Sequence, residues 1–94
     1  MKITVEFTGG GRAMTGTREV TLDLPDNTNY RDVVRRLAQM YPGLVGAIIA
    51  ADGNSLLSAM IFNRNGEESI VPAMLDQSPC DGDRLILMFF IVGG

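Results

Sequence analysis

The stretch Asp81-Gly82-Asp83-Arg84-Leu85-Ile86-Leu87-Met88-Phe89-Phe90-Ile91-Val92-Gly93-Gly94 decides how this chain folds. Two acids around a glycine predict a turn, because Asp side chains accept from nearby backbone N–H groups and glycine adopts left-handed conformations without a steric penalty. The residues that follow, 84–92, predict a strand. Their apolar run of eight residues, 85–92, is far short of the about 20 that a membrane-spanning helix needs. Alternation sends Leu85, Leu87, Phe89 and Ile91 to one side, and Ile86, Met88, Phe90 and Val92 to the other. Both sets are apolar, whereas a sheet covered by one helix buries only one of its faces. Two readings are open: a central strand whose second face is covered by a loop, or a docking patch of the Met- and Phe-containing kind that marks protein interfaces.

Upstream, residues 2–8 alternate, with Ile3, Val5 and Phe7 on one face and Lys2, Thr4 and Glu6 on the other, which predicts a half-buried first strand. Gly9-Gly10-Gly11-Arg12 breaks the pattern and reads as a flexible hairpin tip. Alternation resumes over residues 18–24 until Pro25 stops it, so an antiparallel hairpin is expected. Asn29, with Asp32 three residues on, forms the pattern of a capping box. A helix is expected from Tyr30, because Tyr30, Val33, Val34, Leu37, Met40 and Tyr41 share one face while Arg31, Asp32, Arg35, Arg36 and Gln39 take the other. Pro42-Gly43 ends it.

Residues 44–51 fit either a short helix or a strand, with a helical turn favoured, and Asp52-Gly53-Asn54 is read as a reverse turn. A strand follows over 56–63, then a turn at Asn63-Arg64-Asn65-Gly66, a short return over 67–71 and a loop over 72–79. The order of elements predicts an α+β roll: a mixed sheet of four to five strands with one main helix, in a single domain spanning 1–94. A chain of 94 residues, 46% of them apolar, is expected to hold one core, since chains divide only beyond roughly 250 residues.

The net charge of −3, from 11 acidic and 8 basic residues, gives no broad attraction to nucleic acid or anionic membrane, so neither is an expected partner. Lys2 is the only lysine, which leaves few points for chain building on the protein itself. A lone Cys80 closes no intramolecular disulfide, and no leader-like segment opens the chain, so a reducing cytoplasm is the expected location. The chain has no histidine, which excludes Ser-His-Asp and Cys-His catalysis and any histidine metal site. Cys80 therefore lacks a histidine base, and its acidic neighbours are not the electropositive setting of a reactive thiolate. Asp81-Gly82-Asp83 lacks the spaced oxygen ligands of a calcium loop, and Gly9-Gly10-Gly11-Arg12 lacks the Lys-Ser/Thr of a phosphate loop. Arg35-Arg36 reads as solvated helix surface, and Arg64, on a turn, is the candidate for a polar contact with a partner.

Gly93-Gly94 carries the functional signal. A tail without side chains enters a narrow channel and presents an unhindered carboxylate. Such a pair arises by chance in roughly one chain in a hundred, so its weight comes from the strand and turn before it. In that order the residues resemble the ubiquitin-related β-grasp sulfur carriers, the small subunit of molybdopterin synthase (MoaD) and the thiamine-pathway carrier (ThiS). The resemblance rests on Asp81-Gly82-Asp83, the hydrophobic strand and Gly93-Gly94 at the family's interval, with support from Tyr41-Pro42-Gly43-Leu44 and the Thr15-Gly16 turn.

The resemblance implies a β-grasp (ubiquitin-like) roll and a carrier protein, not an enzyme, with no cofactor or metal of its own. Gly94 is then the point of adenylation and thiocarboxylation, and Gly93 gives access. The implied partners are a ubiquitin-activation-like adenylating enzyme, which consumes ATP, and a client enzyme that accepts the sulfur, with docking through Ile86, Met88, Phe90 and Val92. One departure is that molybdopterin-synthase small subunits often carry Pro-Pro where this chain has Phe89-Phe90. Tyr41-Pro42-Gly43-Leu44 and the length favour the molybdopterin branch, while the proline-free tail looks more like the thiamine branch. The alternative from another class is a ubiquitin-like interaction module, or a stabilising small subunit of a larger enzyme, whose tail is never activated.

Overall fold

Two hydrogen-bonded ladders meet on the last strand. In the computed structural model, which describes residues 1–57 and 59–90, β1 (Lys2–Phe7) and β2 (Glu19–Asp23) form an antiparallel pair in which Ile3 faces Leu22 and Val5 faces Val20. The helix α2 (Tyr30–Met40) follows, then β3 (Met60–Arg64), β4 (Glu68–Ile70) and β5 (Arg84–Phe89). β5 runs parallel to β1, with Val5 beside Leu85 and Phe7 beside Leu87, and antiparallel to β3, with Phe62 beside Leu87. The sheet order is therefore β2-β1-β5-β3-β4, mixed, with β5 at its centre.

The predicted helix begins and ends where its signals stand. Asn29 accepts from the Asp32 N–H at 2.8 Å, and Asp32 accepts from the Asn29 N–H at 3.2 Å, closing the capping box. The next two donors of the helix start are met by the distant segment before β5: Tyr30 N–H donates to Gln77 O and Arg31 N–H to Leu75 O, both at 2.9 Å. Val33, Val34 and Leu37 are fully buried and pack with Ile3, Val5, Phe7, Phe62, Leu85 and Leu87 into the core on one side of the sheet.

Four expectations are corrected. Gly9-Gly10-Gly11-Arg12 is the opening of a short helix, α1 (Gly9–Thr15), not a hairpin tip. Gly11 lies against the core there: a Cβ on it would stand 3.3 Å from the end of Ile48 and 3.8 Å from Phe7. Gly16, at φ +71°, ends α1 by donating its N–H to Arg12 O at 2.9 Å. The segment read as a helical turn is a 3₁₀ turn at Pro42–Leu44 followed by isolated bridges of Ile49 with Val45 and Leu56. The strand expected from residue 56 begins at Met60, and the loop over 72–79 contains a 3₁₀ turn at Pro72–Met74.

The turn before β5 is a junction. Gly82, at φ +86°, donates to Lys2 O at 2.8 Å, and Thr4 N–H donates to Asp83 O at 3.1 Å. The buried Asp83 carboxylate accepts from Cys80 N–H at 2.8 Å and from the Asn65 side-chain amide at 3.1 Å. Asn65 itself stands at φ +56°, a region Asn tolerates, and exchanges hydrogen bonds of 2.8 Å with the backbone of Arg84. Replacing Asp83 by Ala removes the acceptor of two part-buried hydrogen bonds. We expect Asp83→Ala to cost about 1–3 kcal/mol, measured by urea unfolding; an unchanged midpoint would show that the junction does not hold the start of β5.

Candidate functional site

The face of the sheet turned away from α2 divides into two halves. Over β1 and β2 it is polar: the Thr4 and Thr21 hydroxyls lie 3.2 Å apart, and Arg84 pairs with Glu6 and Glu19. Over β5 and β3 it is apolar. Ile86 and Met88 are half-buried there, and the register sets Ile61 beside Met88 and Asn63 beside Ile86. Ile61 is only 4% exposed although it faces away from α2, and Asn63 has a buried Oδ1 without a hydrogen-bond partner.

The strip leads to the end of β5. Phe89 and Phe90 are 63% and 44% exposed, and Phe90 is tied to the sheet by its N–H, which donates to Ala59 O at 2.7 Å. Because β1 and β5 are parallel, both finish at this end. α2 finishes there too, since Tyr41 sets its ring edge-on to Phe7 at 5.5 Å, and α1 packs on the Pro42–Leu44 turn. Met14 on α1, Met40 at the end of α2 and Val45 just after the Pro42–Leu44 turn are the other exposed large apolar side chains among the described residues. Phe89 is the most exposed of the set.

Of the residues singled out in the sequence, the structure places Ile86 and Met88 on β5 and Phe90 directly after it. Val92, Gly93 and Gly94 lie outside the described residues. Arg64 stands elsewhere: it is half-buried opposite Leu85, at the start of β5, and pairs with Glu68. Beside it the Tyr30 hydroxyl is buried without a partner of normal geometry. Burial pushes this phenol above its ordinary range, against the opposing pull of the Arg64 guanidinium. Cys80 is exposed, and its N–H serves the Asp83 carboxylate.

Sequence reasoning assigned Phe89 to the helix-facing set and gave Met14 no role. The available signal for Phe89 was the predicted end of the helix, beyond which the helix side of the last strand loses its cover. No group of three or more His, Cys, Asp or Glu side chains among the described residues is arranged to hold a metal ion, and no helix among them is long and apolar enough to cross a membrane. The cavity enclosed by Leu56, Met60, Ile70, Pro72 and Leu75 measures 30 Å³, about the space of one water.

The whole chain superimposes on the crystal structure of SAMP1 from Haloferax volcanii, covering 100% of both chains with a TM-score of 0.80 at 22% identity. A putative molybdopterin converting factor, subunit 1, from Pyrococcus furiosus matches 97% of this chain and 99% of its own, with a TM-score of 0.73 at 18% identity. A complex of subunits 1 and 2 of the molybdopterin-converting factor from Helicobacter pylori contains a chain that matches with a TM-score of 0.60 at 20% identity, each chain covered in full. The fold is the ubiquitin-like β-grasp. No protein-family model matches the chain, and no curated protein matches it significantly in sequence. The likeness to these β-grasp proteins therefore lies in the arrangement of the strands and helices.

Exposure separates the core side of β5 from its end. Leu87→Ala should cost about 2–5 kcal/mol, because it opens a cavity in the packed core. Phe90→Asp should change stability by less than about 1 kcal/mol. Thermal melts of the two variants test this, and a Phe90→Asp melt as low as that of Leu87→Ala would place Phe90 in the core.

Proposed function

We propose that this β-grasp chain is a sulfur carrier, activated at Gly94 and docked on its enzymes through the apolar strip that ends at Phe90. The observation that carries the proposal is the exposure of Phe89 and Phe90 at the end of β5, five and four residues before Gly94. The fold held in common with SAMP1 and with molybdopterin converting factor subunit 1 supports the same reading. A side-chain-free Gly93-Gly94 carries no group that would block approach to the terminal carbonyl.

On this reading an adenylating enzyme joins the Gly94 carboxylate to AMP with release of pyrophosphate. A sulfur donor then displaces AMP to leave a thiocarboxylate, which is a stronger nucleophile than the carboxylate it replaces. The chain supplies position and access, and the enzymes supply the catalytic groups. The molybdopterin-type client is favoured, since the converting-factor complex from Helicobacter pylori joins a chain of this fold to a second subunit. That complex equally favours one second reading, a small subunit held by its apolar strip without activation of the tail.

Intact-mass measurement separates the two. After incubation with a ubiquitin-activation-like enzyme, ATP and a sulfur donor, the chain should gain the mass difference between sulfur and oxygen, and deletion of Gly94 should abolish the gain while the domain stays folded. A chain that binds a synthase subunit tightly but never gains mass would sink the carrier reading in favour of the second.

A further inference from the structure

Thr8 stands at the fork where β1 and β5 part. β1 ends at Phe7, whose register partner is Leu87, and the chain then turns into α1 through Gly9 at φ +50°. Past Leu87, β5 has no β1 residue beside it. It is held from one side only, by β3, through the pairs Ile61–Met88 and Met60–Phe89 and the Phe90 N–H bond to Ala59 O.

A threonine at the N-cap of a helix ordinarily spends its hydroxyl on the N–H groups of that helix. Thr8 is the N-cap of α1 and makes no such bond. Its Oγ1 donates instead to Leu87 O, at 2.8 Å and half-buried, across 79 positions of sequence. The local rule is broken in favour of a contact with the last residue of β5 that still has β1 beside it. Departures of this kind from a local rule concentrate where a structure serves a function.

We infer that Thr8 is a positioning residue, whose hydroxyl pins Leu87 and so fixes the end of β5 up to Phe90, four residues of sequence before Gly94. With the Phe90–Ala59 bond it holds the last turn of the ladder from both sides, one clamp on each flank of β5. The effect on the chemistry at Gly94 rests on the carrier reading above; the clamp itself does not. An adenylating enzyme that grips the apolar strip needs the following residues delivered at one place, and errors of about 1 Å in delivery are costly in rate.

The experiment compares wild type with Thr8→Val, which keeps the shape and removes the donor, and Thr8→Ser, which restores it. Amide hydrogen exchange by NMR should show the Phe90 amide exchanging roughly five- to tenfold faster in Thr8→Val, the Val5 amide unchanged, and Thr8→Ser close to wild type. With an adenylating enzyme, ATP and a sulfur donor, kcat for loading should fall in Thr8→Val while KM for the chain holds, and Thr8→Ser should recover it. Unaltered exchange at Phe90 overturns the inference, and so does an equal acceleration of Phe90 and Val5, which would make Thr8 a general stabiliser. A local rise in exchange with undiminished loading overturns the positioning role. If wild type is never loaded, the carrier reading fails while the exchange comparison still decides whether Thr8 fixes the end of β5.

Discussion

The parallel pairing of β1 with β5 is the constraint on which the rest of the structure depends. Placing Thr4 beside Arg84 closes a loop of about 80 residues, and the length-dependent part of that closure alone costs about 4 kcal/mol. Burial on the helix side outweighs it, since Ile3, Val5, Phe7, Leu85 and Leu87 are all excluded from water and each contributes roughly 1.5–3 kcal/mol. Everything between the two strands must fit inside that closure. β2 takes the outer flank of β1, β3 and β4 take the outer flank of β5, and α2 crosses the face that they share. The junction around Asp83 fixes one end of the pairing, because Gly82, Asp83 and Asn65 bind the backbone of Lys2, Thr4, Cys80 and Arg84 within one turn.

Much of this could be read from local rules. Ile3, Val5 and Phe7 alternate with polar residues on a strand whose other face is solvated, so the period was visible. The capping box at Asn29 and the apolar stripe to Met40 are written within one helix. α1 escaped because three glycines weigh against a helix on propensity, and the close approach of Gly11 to Ile48 is a contact set by tertiary packing. The strand order escaped for a related reason. Nothing local in residues 84–89 says that their neighbours are β1 and β3, and the choice follows only from the closure of the core.

The candidate site was legible in composition and less so in extent. A strand apolar on both sides announced a second buried or docking surface, and the structure combines features of the two readings. β5 is central, as a doubly apolar strand should be. Yet Ile86 and Met88 stay half-buried, and exposure increases toward Phe89 and Phe90. Arg64, chosen because it sits at a turn, pairs with Glu68 beside the buried Tyr30 hydroxyl at the opposite end of β5, where turn position gave no hint of its neighbours.

The exposure of Phe89 follows from a difference in length. α2 ends at Met40, and the chain turns at once through Pro42 into a short 3₁₀ turn, so the helix covers β5 only as far as Leu87. β5 nevertheless continues for two residues beyond that cover, paired to Met60 and Ile61. Phe89 and a large part of Phe90 stay in water there, so the fold leaves much of their hydrophobic free energy unused. A surface that covered them would bury the rest. The strand that closes the core is thus also the one that leads to the exposed end, and the same ladder that holds Leu85 and Leu87 in place carries Phe89 and Phe90 beyond the cover of α2.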